Sequence, residues 1–309
     1  MTSGGNLLEL ERTTRACPLC GSAPESGQPV YEERFDPERL DDFSFASRKV
    51  PEQMHWRLIE CSGCALLFAS PAPEAGAVAA GYREAAYDSA EEARHAAATY
   101  SGLVRELLPR LPPSGDALDV GAGDGAFLGV LRELGFEDLA GVEPSRAALD
   151  GAAAGLRPLI REGIFDAGDF EPGRFRLVSC LHVVDHMPDP LTALAGAREL
   201  LCDGGALLVV CHDRHAPVNR LMGRRSPIYD VEHLQLFSHA SLRALFERAG
   251  YRDIAVSRFA NRYPLRYWLR LLPLGRRVKQ RMAEALDGTG LGHLPLTLPV
   301  GNIAAVGWR

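Results

Sequence analysis

The 309-residue chain contains no apolar run near the roughly 18 residues that a membrane-spanning helix requires, so a transmembrane reading has no support. It also lacks a basic excess. Its 34 Lys and Arg against 40 Asp and Glu leave a formal charge of −6, and no global attraction to nucleic acid follows. Seven cysteines in a chain this long do not make a disulfide framework. The opening MTSGGNLLELERTTRACPLC carries Glu9 and Glu11 and lacks the basic-then-apolar order of a secretory leader, so a cytoplasmic location is expected. No internal repeat stands out at solenoid or propeller spacing.

What is present is an ordinary globular composition, 46% hydrophobic and 24% charged, enough for a sizeable core. The length suits one large domain with an appendage, or two domains. Residues 1–75 form a cysteine-containing segment with few periodic apolar residues, closed by the proline-rich SPAPEAG. Residues 76–111 read as an alanine-rich helical linker or lid, broken by PPSGD. From 112 to 309, strands and helices alternate: ALDVGAG, LAGVEP, PLIREGIF, RLVSCLHVV and GGALLVVCHD read as strands, and DIAVSRFA and NIAAVGW as the last two. Between them GAFLGVLRELG, SRAALDGAAAGL, PLTALAGARELL and HASLRALFERAG read as helices, with Asp189 and Ser238 as N-caps. This alternation predicts an α/β fold with a mostly parallel sheet covered on both faces and ligands at the C-terminal strand ends.

Two features place a nucleotide-like ligand there. LDVGAGDGAFLGVL ends a strand and opens a helix through Gly121, Gly123 and Gly125, which lets a ligand approach the backbone at a helix N-terminus. Glu143 ends the next strand about ~20 residues on, where such folds hold a ribose diol. The loop is preceded by Asp119, which suits a positively charged ligand better than a pyrophosphate.

On these residues the chain resembles the class I S-adenosylmethionine-dependent methyltransferases over about residues 112–260 and, more loosely, the last strand. LDVGAGDG is similar to their first motif, GVEPS to their acidic motif, and the DGG turn before LLVV to their strand-five block. EHLQLFSHASLRALFERAGY resembles the following block in its small-molecule form. The resemblance implies a Rossmann-like seven-stranded sheet with one antiparallel strand. It implies that Gly121, Ala122 and Gly123 line the methionine portion, Asp119 holds its amino group, Glu143 takes the ribose hydroxyls, and Ile164 and Phe165 flank the adenine.

Cys17 and Cys20 in CPLC, with Cys61 and Cys64 in CSGC, supply two thiolate pairs of the kind that close a tetrahedral structural zinc. Four protein ligands leave no open position, so the metal's work is folding a small N-terminal zinc ribbon poor in apolar residues. The segment resembles that of some sugar and natural-product methyltransferases, and the same layout appears in ribosomal RNA methyltransferases. Cys180, Cys202 and Cys211 read as small core residues.

The stretch HVVDH holds the acid/base candidates. His182 ends the fourth strand and is expected beside the cofactor. His186 is expected at the acceptor pocket and His233, in DVEHLQLF, over it; His186 ranks first as base and His233 second, against the plainer role of bracing a loop. Certain quinone-type O-methyltransferases bind a divalent ion with a Glu-x-x-Glu-His set, matched here by His182, Asp185 and His186. Between Arg258 and Arg281 there are eight basic residues and no acidic ones, a stretch that runs into an insertion at 261–296 before the last strand. Pro264 and Pro273 interrupt any continuous helix there. Three readings of this stretch compete: a solvated face, binding of an anionic acceptor, and docking to an anionic membrane surface. The leading expectation is methyl transfer from S-adenosylmethionine to an oxygen, or a carbon, of a sugar, glycan precursor or secondary metabolite. An RNA methyltransferase with a zinc ribbon, or a non-catalytic binding module, stands as the alternative.

Overall fold

The computed structural model describes residues 11–272 and 274–309. Residues 1–10, which carry Glu9, and Pro273, the second expected helix interruption, lie outside the described residues. The chain begins with β1 (Arg12–Thr13), β2 (Gln28–Tyr31), β3 (Leu58–Glu60), β4 (Leu67–Ala69) and β5 (Ala72–Pro73). The alanine-rich region forms two helices, α1 (Ala75–Glu84) and α2 (Ala90–Leu107), separated by an irregular turn.

The central sheet follows. Its strands are β6 (Asp116–Val120), β7 (Leu139–Glu143), β8 (Ile160–Glu162), β9 (Phe175–Leu181), β10 (Leu201–His212), then β12 (Arg252–Pro264) and β13 (Pro295–Trp308). Their spatial order is β12-β13-β10-β9-β6-β7-β8. Only β13 runs against its neighbours, so the seven-stranded sheet with one antiparallel strand is observed. The helices α3 (Ala126–Glu133), α4 (Arg146–Asp150), α5 (Pro190–Leu200), α6 (Pro217–Met222) and α7 (His239–Arg248) connect the strands. Asp189 caps α5 by accepting from the Thr192 N–H at 3.0 Å, with Pro190 at the first helical position, and Ser238 and Ser241 close a reciprocal cap on α7.

Both sheet faces are covered. On one, Leu118, Val178 and Val209 meet Leu194 of α5 and Leu242 and Phe246 of α7. On the other, Leu177 and Leu208 meet Tyr100 and Val104 of α2 and Leu128 and Leu131 of α3. Cys180 and Cys211 are buried in this core, whereas Cys202 is partly exposed. No helix among the described residues is long and apolar enough to cross a membrane.

Two sequence expectations change. The N-terminal segment is not poor in core: Met54, Trp56, Leu58 and Leu67 are buried, packed on Ile228, Val231 and Leu236 from far along the chain. Its sheet is completed by β11 (Gln235–Leu236), which pairs antiparallel with β4 in the order β11-β4-β3-β2. The apolar residues lacked visible period because the strands are two to four residues long and share their core with another part of the chain. The insertion is also shorter than 261–296. The edge strands β12 and β13 extend past the sheet as a two-stranded arm, and only residues 265–294 lie between them, carrying α8 (Leu265–Leu271) and α9 (Arg276–Asp287).

Candidate active site

A cavity of about 550 Å³ opens at the C-terminal ends of β6, β7, β9 and β10, where open α/β sheets bind ligands. Its floor is the glycine loop. Gly121 and Ala122 donate N–H bonds to the Val142 carbonyl at 2.8 and 3.0 Å, folding the loop back on β7. Gly121 has φ +76°, and a Cβ there would overlap the Val183 side chain. Gly123, at φ +56°, has nothing within 4 Å of where a Cβ would stand, so its open side faces the cavity.

Glu143 ties this loop to the next. Its Oε2 accepts from the Gly123 N–H and its Oε1 from the Ser145 N–H, both at 2.8 Å. Burial raises its pKa, opposed by these two bonds. Each oxygen retains an acceptor site for a diol. Asp119 is 2% exposed, and its Oδ1 accepts from Ser179 Oγ at 2.6 Å. Burial lifts its carboxyl to about 7, against the Ser179 hydroxyl and with the nearby Glu143 charge adding to the rise. Ile164 and Phe165 also line the cavity, Ile164 with more than half its surface exposed at the rim.

Four histidines from three segments converge above this floor. His182 sits in left-handed backbone, φ +57°, immediately after β9. Its ring centroid lies 4.7 Å from that of His212, the last residue of β10; His186 stacks on His233 at 4.8 Å; and His212 meets His233 edge-on at 5.2 Å. Burial holds all four neutral: His186 and His212 fall to about 4, and His182 and His233 fall well below the ordinary imidazole value.

The tautomer of His186 follows from its partners. Nδ1 lies 3.0 Å from the Glu232 carbonyl, which can only accept, and 2.7 Å from the Tyr82 hydroxyl. Nδ1 therefore carries the proton, and Nε2 keeps its lone pair. The His186 ring is thus braced at one nitrogen and keeps an unprotonated acceptor at the other. Its loop is braced as well: Gln235 Nε2 donates to the Val184 and Met187 carbonyls at 2.7 and 2.8 Å. The N-terminal segment in turn holds Gln235, with Arg15 Nη2 on its Oε1 at 3.0 Å.

The donor set His182, Asp185 and His186 is not what the fold assembles. Ligating atoms of His182, Asp185 and His212 lie within 4.8 Å of one another, whereas His186 turns toward Tyr82 and Glu232. His212 was legible only as a strand residue. Its signal was a polar side chain at the C-terminal end of the fifth strand, where ligands bind. Asn302 of β13, whose Oδ1 accepts from His212 Nδ1 at 3.0 Å, gave no sequence signal.

The four cysteines do meet. Cys17 and Cys64 sulfurs are 3.5 Å apart and Cys20 and Cys61 sulfurs 3.4 Å, with all four within 4.8 Å. Two matching turns bring them there: Gly21 N–H donates to the Cys17 carbonyl and Ala65 N–H to that of Cys61, with Gly21 and Ala65 both at positive φ.

Three arginines of the basic stretch are engaged within the chain. Arg258 pairs with Asp213 at 3.3 Å, Arg270 with Glu92 at 3.7 Å and Asp88 at 3.5 Å, and Arg266 with Glu91. The Arg266 and Arg270 pairs pin the insertion to the N-terminal end of α2 and the residue pair before it, and Tyr263, Tyr267, Trp268 and Leu272 wall the cavity.

A family model described as a methyltransferase domain matches residues 92–256, more than half of the chain. The ubiquinone biosynthesis O-methyltransferase of Methylococcus capsulatus is 29% identical over 99 residues, which cover 29% of this chain and 40% of that protein. Its counterpart in Cereibacter sphaeroides is 35% identical over 116 residues, covering 35% of this chain and 44% of that protein. The chain thus spans less than half the length of these curated relatives. A crystal structure of a SAM-dependent methyltransferase from Archaeoglobus fulgidus is similar at a TM-score of 0.48 and 16% identity, covering 71% of this chain and 97% of that one. The family match falls on the glycine loop, Glu143 and the HVVDH block, and it makes the chain a member of the class I S-adenosylmethionine-dependent methyltransferase family.

Proposed function

We propose that the protein transfers a methyl group from S-adenosylmethionine to an oxygen of a small acceptor, such as a sugar, glycan precursor or secondary metabolite. The observation that carries this is the shared cavity, which His186 and the open side of Gly123 both line. The names of the curated relatives support oxygen as the methylated atom.

The residues present fit the cofactor. The open Gly123 face leaves room for a ligand against the backbone, Glu143 retains acceptor sites for a diol, and Asp119 is a buried carboxylate suited to an ammonium. S-adenosylmethionine supplies the electrophilic methyl. The chain's part is to align the acceptor in line with it, exclude water and remove a proton. His186 is neutral, so its Nε2 takes the acceptor proton while Glu232 and Tyr82 hold the ring. His233 stacks on that ring and limits its rotation.

Zinc fits the cysteine cluster. A tetrahedral ion with bonds of about 2.3 Å needs sulfur separations of about 3.8 Å, close to the two observed. Cys17, Cys20, Cys61 and Cys64 would hold it, and its contribution there is structural.

Calorimetric titration with S-adenosylhomocysteine tests the reading. Binding that weakens at least about tenfold in Glu143→Ala is expected. His186→Ala should leave that affinity within about threefold while lowering methyl transfer by about a hundredfold against an acceptor library. Absence of cofactor binding by the unaltered chain would remove the proposal; an unchanged rate in His186→Ala would leave that residue only its bracing role.

A further inference from the structure

The cavity holds a cation with no carboxylate in direct contact among the described residues. Two cationic side chains line it, Arg48 and Lys49. Lys49 is satisfied, with Nζ 2.8 Å from Glu52 and 2.9 Å from Asp230. Arg48 has no carboxylate within 4.0 Å among the described residues. It faces the phenols of Tyr100, Tyr263 and Tyr267 instead. Its backbone is held left-handed, at φ +58°, a conformation uncommon outside glycine and frequent at ligand sites.

The groups beside it are also incomplete. Tyr100 and Asn261 belong to the lining of the same cavity, and the Tyr100 hydroxyl and Asn261 Oδ1 are buried with no hydrogen-bond partner among the described residues. A cation walled by phenols, with no carboxylate in contact, is costly unless an anionic ligand completes it. A guanidinium presents a planar fork that matches a carboxylate or a phosphate. Arg48 also lies within electrostatic reach of His182, Asp119 and Glu143, so an anion bound there sits beside the cofactor residues. Its nearest neighbours, however, come from α2, β12 and α8, the elements that roof the cavity, and not from the glycine loop.

We propose that Arg48 anchors the methyl acceptor through an anionic oxygen group, a carboxylate or a phosphate. This rests on the methyltransferase reading and narrows its substrate class to anionic acceptors. It also moves anion recognition away from the arginines of residues 258–281, three of which are held by Asp213, Asp88, Glu91 and Glu92.

The test titrates benzoate and inorganic phosphate into the full chain saturated with S-adenosylhomocysteine. The unaltered protein should bind at least one probe. Arg48→Gln should weaken that binding by about ten- to a hundredfold and Arg48→Lys by less, with S-adenosylhomocysteine affinity within about threefold throughout. Binding of neither probe, or equal binding by Arg48→Gln, overturns the proposal. So does a loss of S-adenosylhomocysteine affinity in Arg48→Gln, which would assign the guanidinium to the cofactor's own carboxylate. Failure of the unaltered chain to bind S-adenosylhomocysteine would instead strike the methyltransferase reading.

Discussion

Asp119 is buried at the end of β6 with its pKa near 7, so its charge is sensitive to pH in the physiological range. The folded value lies above the ordinary ~3.9 of an aspartate, so between those values the folded chain holds this proton more tightly than the unfolded chain does. Stability contributed by that proton is full below about 4 and is lost as pH rises through about 7. Cofactor binding runs the other way, because an ammonium requires the ionised form. S-adenosylhomocysteine affinity should therefore fall about tenfold between roughly pH 8 and pH 6, and Asp119→Asn should flatten that profile. A pH-independent affinity in the unaltered chain would sink the assignment of Asp119 to the amino group. Asp119, Glu143 and the glycines could be read from the sequence because they are spaced along one strand-loop-helix unit. Arg48, Tyr82, Tyr100, His212 and Asn302 could not, because each is a single residue brought in by a different element.

At the scale of elements, the cysteine knuckles and the HVVDH loop are mechanically linked. Arg15, two residues before Cys17, donates to the Ala69, Pro188 and Leu234 carbonyls at 2.9, 3.1 and 2.7 Å and to the Gln235 side chain. Gln235 in turn holds the loop that carries His186. Cys17, Leu19 and Cys61 belong to the same core cluster as Val184 of that loop. Native mass spectrometry should find one zinc per chain that Cys17→Ser removes, and the loss should lower turnover as well as stability, the latter by several kcal/mol. Full activity in a zinc-free Cys17→Ser chain would break the link. The cysteine spacing made the knuckles legible. Their placement against the loop was not, because it depends on packing between segments more than 100 residues apart.

For the whole molecule, the notable feature is that the N-terminal segment does not form a separable domain. Its four-stranded sheet includes β11, its core includes Ile228 and Leu236, and Trp56 Nε1 donates to the Val231 carbonyl at 2.8 Å. The salt link from Lys49 to Asp230, with both side chains nearly inaccessible, crosses the same junction. Breaking one partner of such a buried pair costs about 3–5 kcal/mol. Calorimetry on the zinc-loaded full chain should accordingly show a single unfolding transition; two resolved transitions would mean that the segments fold independently. By itself the sequence determined the alternating α/β order, the glycine loop with Glu143, and the paired cysteines, because periodicity, turn chemistry and ligand spacing are local properties of the chain. Only the tertiary structure decided which residues share the cavity. Four histidines, Arg48 and five tyrosines line it because β9, β10, β12, α1, α2, α8 and the N-terminal segment come together at one edge of the sheet, and proximity across the chain leaves no mark on spacing along it.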